Sequence, residues 1–270
     1  MAAFLITFRE TLEAALITGI VLAFLNRTGH GQYRRHVYTG VLLGILLSLV
    51  FAFFFQSLFG SFSGEAEEIF EGIFSIAGAV LITTLILWML RQRNVALSIE
   101  KKVSADIEKA RPVGIFFLIL VSILREGVET VIFLESASTI GGVGIWSSVL
   151  GILAALFLGY LIFFTSMRIS LKAVFNVTNA LLILFAAGLV VYGVHELQEA
   201  GLLPVFIEHL WDINNIVDEN GAFGGILKGL FGYNGNPSLM EVVAYLVYLI
   251  SVIFVSVKGL KVRIREVTVR

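Results

Sequence analysis

Long apolar runs separated by short polar segments make up most of the chain. Each run has about 20 residues, the length that an α-helix needs to cross roughly 30 Å of lipid hydrocarbon. Membrane β-barrels show ten-residue alternating segments, a pattern missing here, so the runs predict helices. The runs lie near residues 3–25, 38–59, 68–90, 113–136, 147–167, 176–197 and 239–258. We therefore predict an all-α membrane protein with seven transmembrane helices in a single domain over residues 1–270.

The polar segments between the runs sort by charge. The connections after runs one, three and five and the C-terminal tail at 259–270 hold most of the basic residues, whereas the other side has only Lys228. Because basic residues stay on the cytoplasmic side, this bias predicts an N-out, C-in topology with an acidic outer surface. The basic residues counted are Arg27, Arg34, Arg35, Arg91, Arg93, Lys101, Lys102, Lys109, Arg111, Arg168, Lys172, Lys258, Lys261, Arg263, Arg265 and Arg270.

Composition narrows the chemistry. The chain is 58% hydrophobic and 14% charged, and its net charge of -1 gives no reason to expect a nucleic-acid partner. Its mean hydropathy is +0.94. The absence of cysteine excludes disulfides and thiolate ligands, so any metal must bind to oxygen or nitrogen.

A charged motif occurs twice inside the apolar runs. Run one contains Arg9-Glu10-Thr11-Leu12-Glu13 and run four contains Arg125-Glu126-Gly127-Val128-Glu129, so both read R-E-x-x-E. Runs one to three (about 1–92) and four to six (about 112–200) therefore look like two copies, and a weaker echo places Phe70-Glu71 over Phe175-Asn176. Three helices per copy invert the second copy, which predicts an inverted 3+3 repeat plus one extra helix at about 239–258.

Spacing places the two glutamates of each motif on one helix face, with the arginine able to reach the second glutamate four residues on. Six unpaired charges near helix centres would cost on the order of 15 to 20 kcal/mol, so these residues should face the protein interior. The two arginines leave a surplus of about two negative charges, which a bound cation or protons could balance. Carboxylate oxygens favour a hard or borderline cation without selecting one.

The two R-E-x-x-E helices in a seven-span chain resemble the high-affinity iron permease family of oxidase-dependent iron transporters. The family motif is usually written R-E-G-L-E, and this chain differs at Thr11 and Val128 without losing a charge. The resemblance implies that iron is the transported substrate and that the motif glutamates carry it across a plasma membrane, here a bacterial inner membrane. It further implies delivery by an extracytoplasmic oxidase, peroxidase or iron-binding protein, and it implies no organic cofactor.

The candidate site residues follow from the motif and from the acidic outer ends of the helices. Helix-dipole compensation or a solvated helix end would explain the outer residues equally well, and capping is the preferred interpretation of Asn176 and Asn179. The predicted metal ligands are Glu10, Glu13, Glu126, Glu129, Glu71 and Glu68, supported by Arg9 and Arg125, and the candidate entrance residues are Glu65, Glu135, His195, Glu196 and Glu199.

The predicted function is iron import by a permease. The alternatives are a permease for another divalent metal and a proton-coupled cation exchanger, or a scaffold subunit that transports nothing. An intramembrane enzyme is disfavoured because H-E-x-x-H and G-x-S-x-G motifs and a cysteine nucleophile are absent. The outer segment 200–237 could form a lid, a half-inserted helix or a docking surface.

Overall fold

A computed structural model describes residues 1–59, 64–91, 95–108, 112–141, 144–164, 170–219 and 221–268. These residues form α-helices, one short 3-10 helix (Gly31–Tyr33) and no β-strand. The α-helices are α1 (Ala2–Arg27), α2 (Arg34–Phe59), α3 (Glu65–Arg91), α4 (Val95–Glu108), α5 (Pro112–Gly141), α6 (Ile145–Phe164), α7 (Leu171–Glu199), α8 (Ala222–Phe231) and α9 (Leu239–Thr268).

Within the described residues, each of the seven predicted runs falls on one of the long helices, and residues 165–167 of run five lie outside them. Five of them, α2, α3, α6, α7 and α9, are long and apolar enough to cross a membrane. The other two, α1 and α5, are equally long, with 26 and 30 residues, but the R-E-x-x-E motifs interrupt their apolar sequence. The described residues are therefore all-helical, as predicted. Helices α1 and α5 are the two long helices whose apolar sequence is interrupted by charges.

Helices α1 and α6 run parallel and pack closely. The Thr7 hydroxyl of α1 donates a hydrogen bond of 3.0 Å to the backbone carbonyl of Ser148 on α6. Further along the same pair, Gly159 lies against Ala15. Small residues at such contacts let two helix backbones approach in lipid, where no hydrophobic force drives helices together.

Helices α2 and α5 repeat this arrangement. Gly40 and Gly44 of α2 lie against Ile119 and Ile123 of α5, and one turn further Gly127 of α5 lies against Ser48. The residue numbers rise together along both helices, so this pair is also parallel. Each motif helix therefore packs along a stripe of small residues in the other half of the chain.

Two further helix pairs, α3 with α7 and α1 with α5, are antiparallel. Gly72 near the start of α3 meets Gly193 near the end of α7. Helices α1 and α5 cross in the same sense, because Ile6 of α1 shares a core cluster with Phe133, whereas Leu25 shares another with Ile115. The crossing brings the centres of the two motif helices together.

Helices α4 and α8, which the sequence pattern did not predict, cover the two ends of this core. Ile99 and Val103 of α4 are buried in the cluster that holds the end of α1 and the start of α5. Helix α8 packs Leu230 on the other cluster and is followed by Gly232, whose φ of 65° suits glycine. We call the α8 side, where α3 and α9 begin and α7 ends, the acidic end, and the opposite side the basic end.

Candidate metal site

The two motifs converge where α1 and α5 cross. Carboxylate oxygens of Glu10, Glu13 and Glu126 all lie within 4.8 Å of one another. Glu10 and Glu126 are almost fully buried. Glu129 lies outside this group of three, although it interacts electrostatically with both Glu13 and Glu126. Three of the four predicted central ligands are thus brought together, and the fourth stands beside them.

Arg9 organises the first motif. It is 1% exposed, and its Nη1 pairs with Glu10. Its Nη2 lies 2.9 Å from Glu13 Oε1 and donates a weaker hydrogen bond of 3.5 Å to Met89 Sδ on α3. Both carboxylates of the motif are therefore held by one buried guanidinium, as the i, i+4 spacing predicted for Glu13.

Arg125 organises the second motif in a more open setting. Its Nη2 pairs with Glu126, and its Nε lies 3.4 Å from Glu129 Oε1. The side chain is 45% exposed, contrary to the expectation that every motif charge faces the interior, and its Cζ lies 5.6 Å from the centre of the Trp88 ring on α3. A cation over an indole face is an attractive arrangement.

Each arginine binds only one of the two carboxylate oxygens of the glutamates that it pairs with. Among the residues that the structure describes, Glu10 Oε2, Glu126 Oε2 and Glu129 Oε2 are buried atoms without a hydrogen-bond partner. A buried polar atom without a partner is costly, and a buried charge more so. Each of these glutamates binds its arginine through one oxygen and keeps the other available for a ligand.

This arrangement suits a small cation. Oxygens that bind one first-row ion at about 2.0 to 2.2 Å lie roughly 3 to 4 Å apart, and the three carboxylate oxygens, all within 4.8 Å of one another, need only small side-chain movements to meet on one ion. Four carboxylates and two guanidinium groups carry a formal charge of about -2 when all are ionised. A divalent cation would neutralise that charge, and oxygen donors suit hard or borderline metals.

At the acidic end, a tyrosine joins two helices. The Tyr192 hydroxyl donates a 2.7 Å hydrogen bond to Glu71 Oε2, so α3 and α7 meet here. Glu196, one turn further on α7, is 9% exposed and lies within electrostatic reach of Glu71. The predicted ligand Glu71 and the predicted entrance residue Glu196 are therefore neighbours, and Tyr192, which the sequence did not single out, is close to both.

His195 bonds to another residue that sequence reasoning missed. Its Nδ1 lies 3.0 Å from Glu241 Oε1 and its Nε2 lies 3.4 Å from Glu199 Oε1. Glu241 is buried and also accepts a 2.6 Å hydrogen bond from Asn234. The sequence from Ser238 to Glu241 has the S-x-x-E spacing of a capping box, the one signal that marks Glu241. Its carboxylate instead ties α9 to α7.

The other predicted residues lie apart from the central cluster. Glu65 and Glu68 stand in the first turn of α3, Glu65 exposed and Glu68 half-buried. Glu135 is half-buried on α5, nearer the acidic end than Glu129. The preferred capping role of Asn176 and Asn179 is wrong, because Ser170 caps α7 through a hydrogen bond from the Ala173 amide.

The segment 200–237 folds over the acidic end. Gly232, just after α8, packs against Gly188 of α7. A cavity of about 330 Å³ lies between this segment and α7, and it is bordered by Tyr192, His195 and Glu196. The segment therefore packs against α7 and borders this cavity, and its assignment as a lid, a half-inserted helix or a docking surface stays a prediction.

Comparison with known proteins agrees with these features. The sequence pattern of the iron permease FTR1 family matches residues 1–267. A ferrous iron permease EfeU from Escherichia coli O157:H7 is 34% identical over 253 residues, which cover 92% of this chain and 91% of that protein. A ferrous iron permease EfeU from Yersinia pestis is 30% identical over 253 residues, 92% of this chain and 89% of that protein. No solved structure matches the chain.

The five long apolar helices together with the family match identify a multi-pass membrane protein of the permease class. The family match covers nearly the whole chain. The chain belongs to the iron permease FTR1 family.

Proposed function

We propose that this protein imports ferrous iron, and that Glu10, Glu13, Glu126 and Glu129 bind the ion halfway along its path. The convergence of Glu10, Glu13 and Glu126 from two halves of the chain carries this proposal. The formal surplus of about two negative charges supports a divalent ion, and the named substrate of the EfeU relatives is ferrous iron.

Arg9 and Arg125 offset part of the negative charge of the cluster and do not bind the ion. Each occupies one oxygen of its two glutamates. The remaining oxygens would bind the passing ion. Because each carboxylate also binds an arginine, it would hold the ion weakly enough for the ion to leave again.

We propose that the ion reaches this cluster from the acidic end. Tyr192, His195 and Glu196 line the cavity under the segment 200–237, and Glu71 accepts the hydrogen bond of Tyr192. We assign Glu65, Glu68, Glu135 and Glu199 to the same approach. We further propose that an extracytoplasmic oxidase, peroxidase or iron-binding protein delivers iron there. Equal uptake by the purified chain with and without such a protein would contradict this last part.

The test is iron uptake by the purified chain in liposomes. We expect Glu13→Gln and Glu129→Gln to lower the initial rate of Fe²⁺ uptake about tenfold or more, because each removes a ligand charge while preserving shape. Glu67→Gln is the matched control, since Glu67 is exposed in the first turn of α3. Wild-type rates in both variants would refute the site, and no uptake by the wild-type chain would favour a scaffold.

The same vesicles separate the alternatives. Competition by Mn²⁺ as strong as by Fe²⁺ itself would indicate a general divalent-metal permease. Uptake that stops when a proton gradient is dissipated would indicate a proton-coupled exchanger.

We propose seven membrane spans in an inverted 3+3+1 arrangement within a bacterial inner membrane. Exchanging α1–α3 with α5–α7 converts the parallel α1–α6 pair into the parallel α5–α2 pair, which supports a twofold axis in the membrane plane. The same exchange maps the antiparallel pairs onto themselves.

The natural lack of cysteine allows a direct topology test. We expect Glu67→Cys to react with a membrane-impermeant maleimide added outside intact cells, and Thr28→Cys to react only after permeabilisation, because the basic end should face the cytoplasm. Both residues are exposed in the structure. The reverse labelling pattern would contradict the N-out, C-in orientation.

A further inference from the structure

The last turns of α3 contact both motif arginines. Met89 Sδ lies 3.5 Å from Arg9 Nη2, and the Trp88 ring centre lies 5.6 Å from Arg125 Cζ. Two adjacent residues of one helix therefore contact the guanidinium groups of two different helices. Neither residue belongs to the R-E-x-x-E motifs.

Both contacts are made by uncharged groups. A thioether accepts a hydrogen bond weakly, and an indole face attracts a cation through its quadrupole. A carboxylate at either position would add a negative charge and compete for the arginine. Trp88 and Met89 can instead orient the arginines while leaving the charge of the carboxylate cluster unchanged.

The repeat supplies no similar contact from the second half. When Glu71 is aligned with Asn176, the α7 positions that correspond to Trp88 and Met89 are Gly193 and Val194. Neither side chain offers an acceptor or an aromatic face. Helix α3 thus serves both arginines, which breaks the symmetry of the two halves at this one place.

We propose that Trp88 and Met89 are positioning residues for ion binding, a proposal that rests on the proposed permease function. They hold each guanidinium against one oxygen of its glutamates, so the second oxygen stays available for the ion. Without them, the guanidinium of Arg9 or Arg125 would move towards Glu10 Oε2 or Glu126 Oε2, which are free among the described residues. The ion would then compete with the arginine for both oxygens.

The test measures Fe²⁺ uptake kinetics in liposomes together with Mn²⁺ binding to the purified protein in detergent. We expect Trp88→Ala and Met89→Leu to raise the apparent KM for Fe²⁺ uptake and the Kd for Mn²⁺ about three- to fivefold. The maximal rate of uptake should change less than about twofold. Trp88→Phe keeps an aromatic face and should stay near the wild-type values. The matched controls are Trp146→Ala, at an 80% exposed tryptophan, and Met240→Leu.

A double variant separates positioning from a general structural effect. If Trp88 acts through Arg125, Trp88→Ala should add little to Arg125→Gln, and the thermal unfolding midpoint of Trp88→Ala should match the wild type. Additive effects on KM, or wild-type KM and Kd in both single variants, would overturn the proposal.

The two proposals fail in different ways. Wild-type uptake that Glu10→Gln abolishes and that Trp88→Ala and Met89→Leu leave unchanged would reject positioning alone. A wild-type chain that takes up no iron would reject the proposed function, and the Mn²⁺ binding constants of the same variants would then still decide whether Trp88 and Met89 position the arginines.

Discussion

At the first motif the arginine is buried and bound on several sides, whereas at the second motif the arginine is half-exposed. Arg9 is 1% exposed, and Arg125 is 45% exposed. Their adjacent glutamates, Glu10 and Glu126, are equally buried. The same five-residue motif therefore creates one sealed and one open half of the site. From the proposed function we expect the first half of the site to stay fixed while the second half rearranges as the ion passes.

Packing around the motifs differs in a compensating way. On α5, Gly127 lies against Ser48 of α2. On α1 the corresponding residue is Thr11, and the register set by the contacts of Thr7 with Gly151 and of Ala15 with Gly159 places Ala155 opposite it. A larger residue on one helix faces a smaller residue on the other in both cases. The departure at Thr11 from the family motif is thus matched by a small partner.

The largest effect should come from removing the buried arginine. Arg9→Gln leaves Glu10 and Glu13 without their cation, so we expect a loss of about 3 to 5 kcal/mol in the free energy of unfolding. Arg125→Gln also leaves the buried Glu126 without its cation, but Arg125 itself is 45% exposed and Glu129 is 18% exposed, so we expect a smaller loss of about 1 to 3 kcal/mol. The measurement is unfolding of the purified protein in mixed micelles of increasing denaturing detergent.

Arg27→Gln serves as the control for removing an arginine. Arg27 is 71% exposed and pairs with Glu100 at 3.6 Å, so its loss should leave stability nearly unchanged. Equal destabilisation by Arg9→Gln and Arg125→Gln would show that the two halves are energetically alike, and the comparison would fail.

Apolar length and charge were sufficient to predict the helical class and the convergence of the motifs. The spacing of Arg9 and Glu13 also predicted their ion pair, because positions i and i+4 share a helix face. Contacts between residues far apart in the sequence could not be predicted. Trp88 looks like any apolar residue of a membrane helix, and only the packing of α3 against α5 brings it to Arg125. Glu129 shows the same limit, since periodicity gave its helix face but not its distance from the other carboxylates.

A smaller effect should arise at the close contact of α5 with α2. Gly127→Ala would place a methyl group in the space that the Ser48 side chain fills, so the helices would have to separate. We expect a loss of about 1 to 3 kcal/mol, typical of overpacking, in the same micelle titration. Thr11→Ala only removes atoms at a contact with a small residue and should cost about 1 kcal/mol or less.

The second-site variant Ser48→Gly makes this prediction specific. It removes the side chain that the new methyl group would meet, so Gly127→Ala combined with Ser48→Gly should recover most of the stability that Gly127→Ala loses, relative to Ser48→Gly alone. If the stability losses of the two single variants simply add in the double variant, Gly127 is required for a reason other than the close approach of α2. A recovery would instead establish that size matching across helix pairs lets the two halves tolerate different residues at the centre of the same motif.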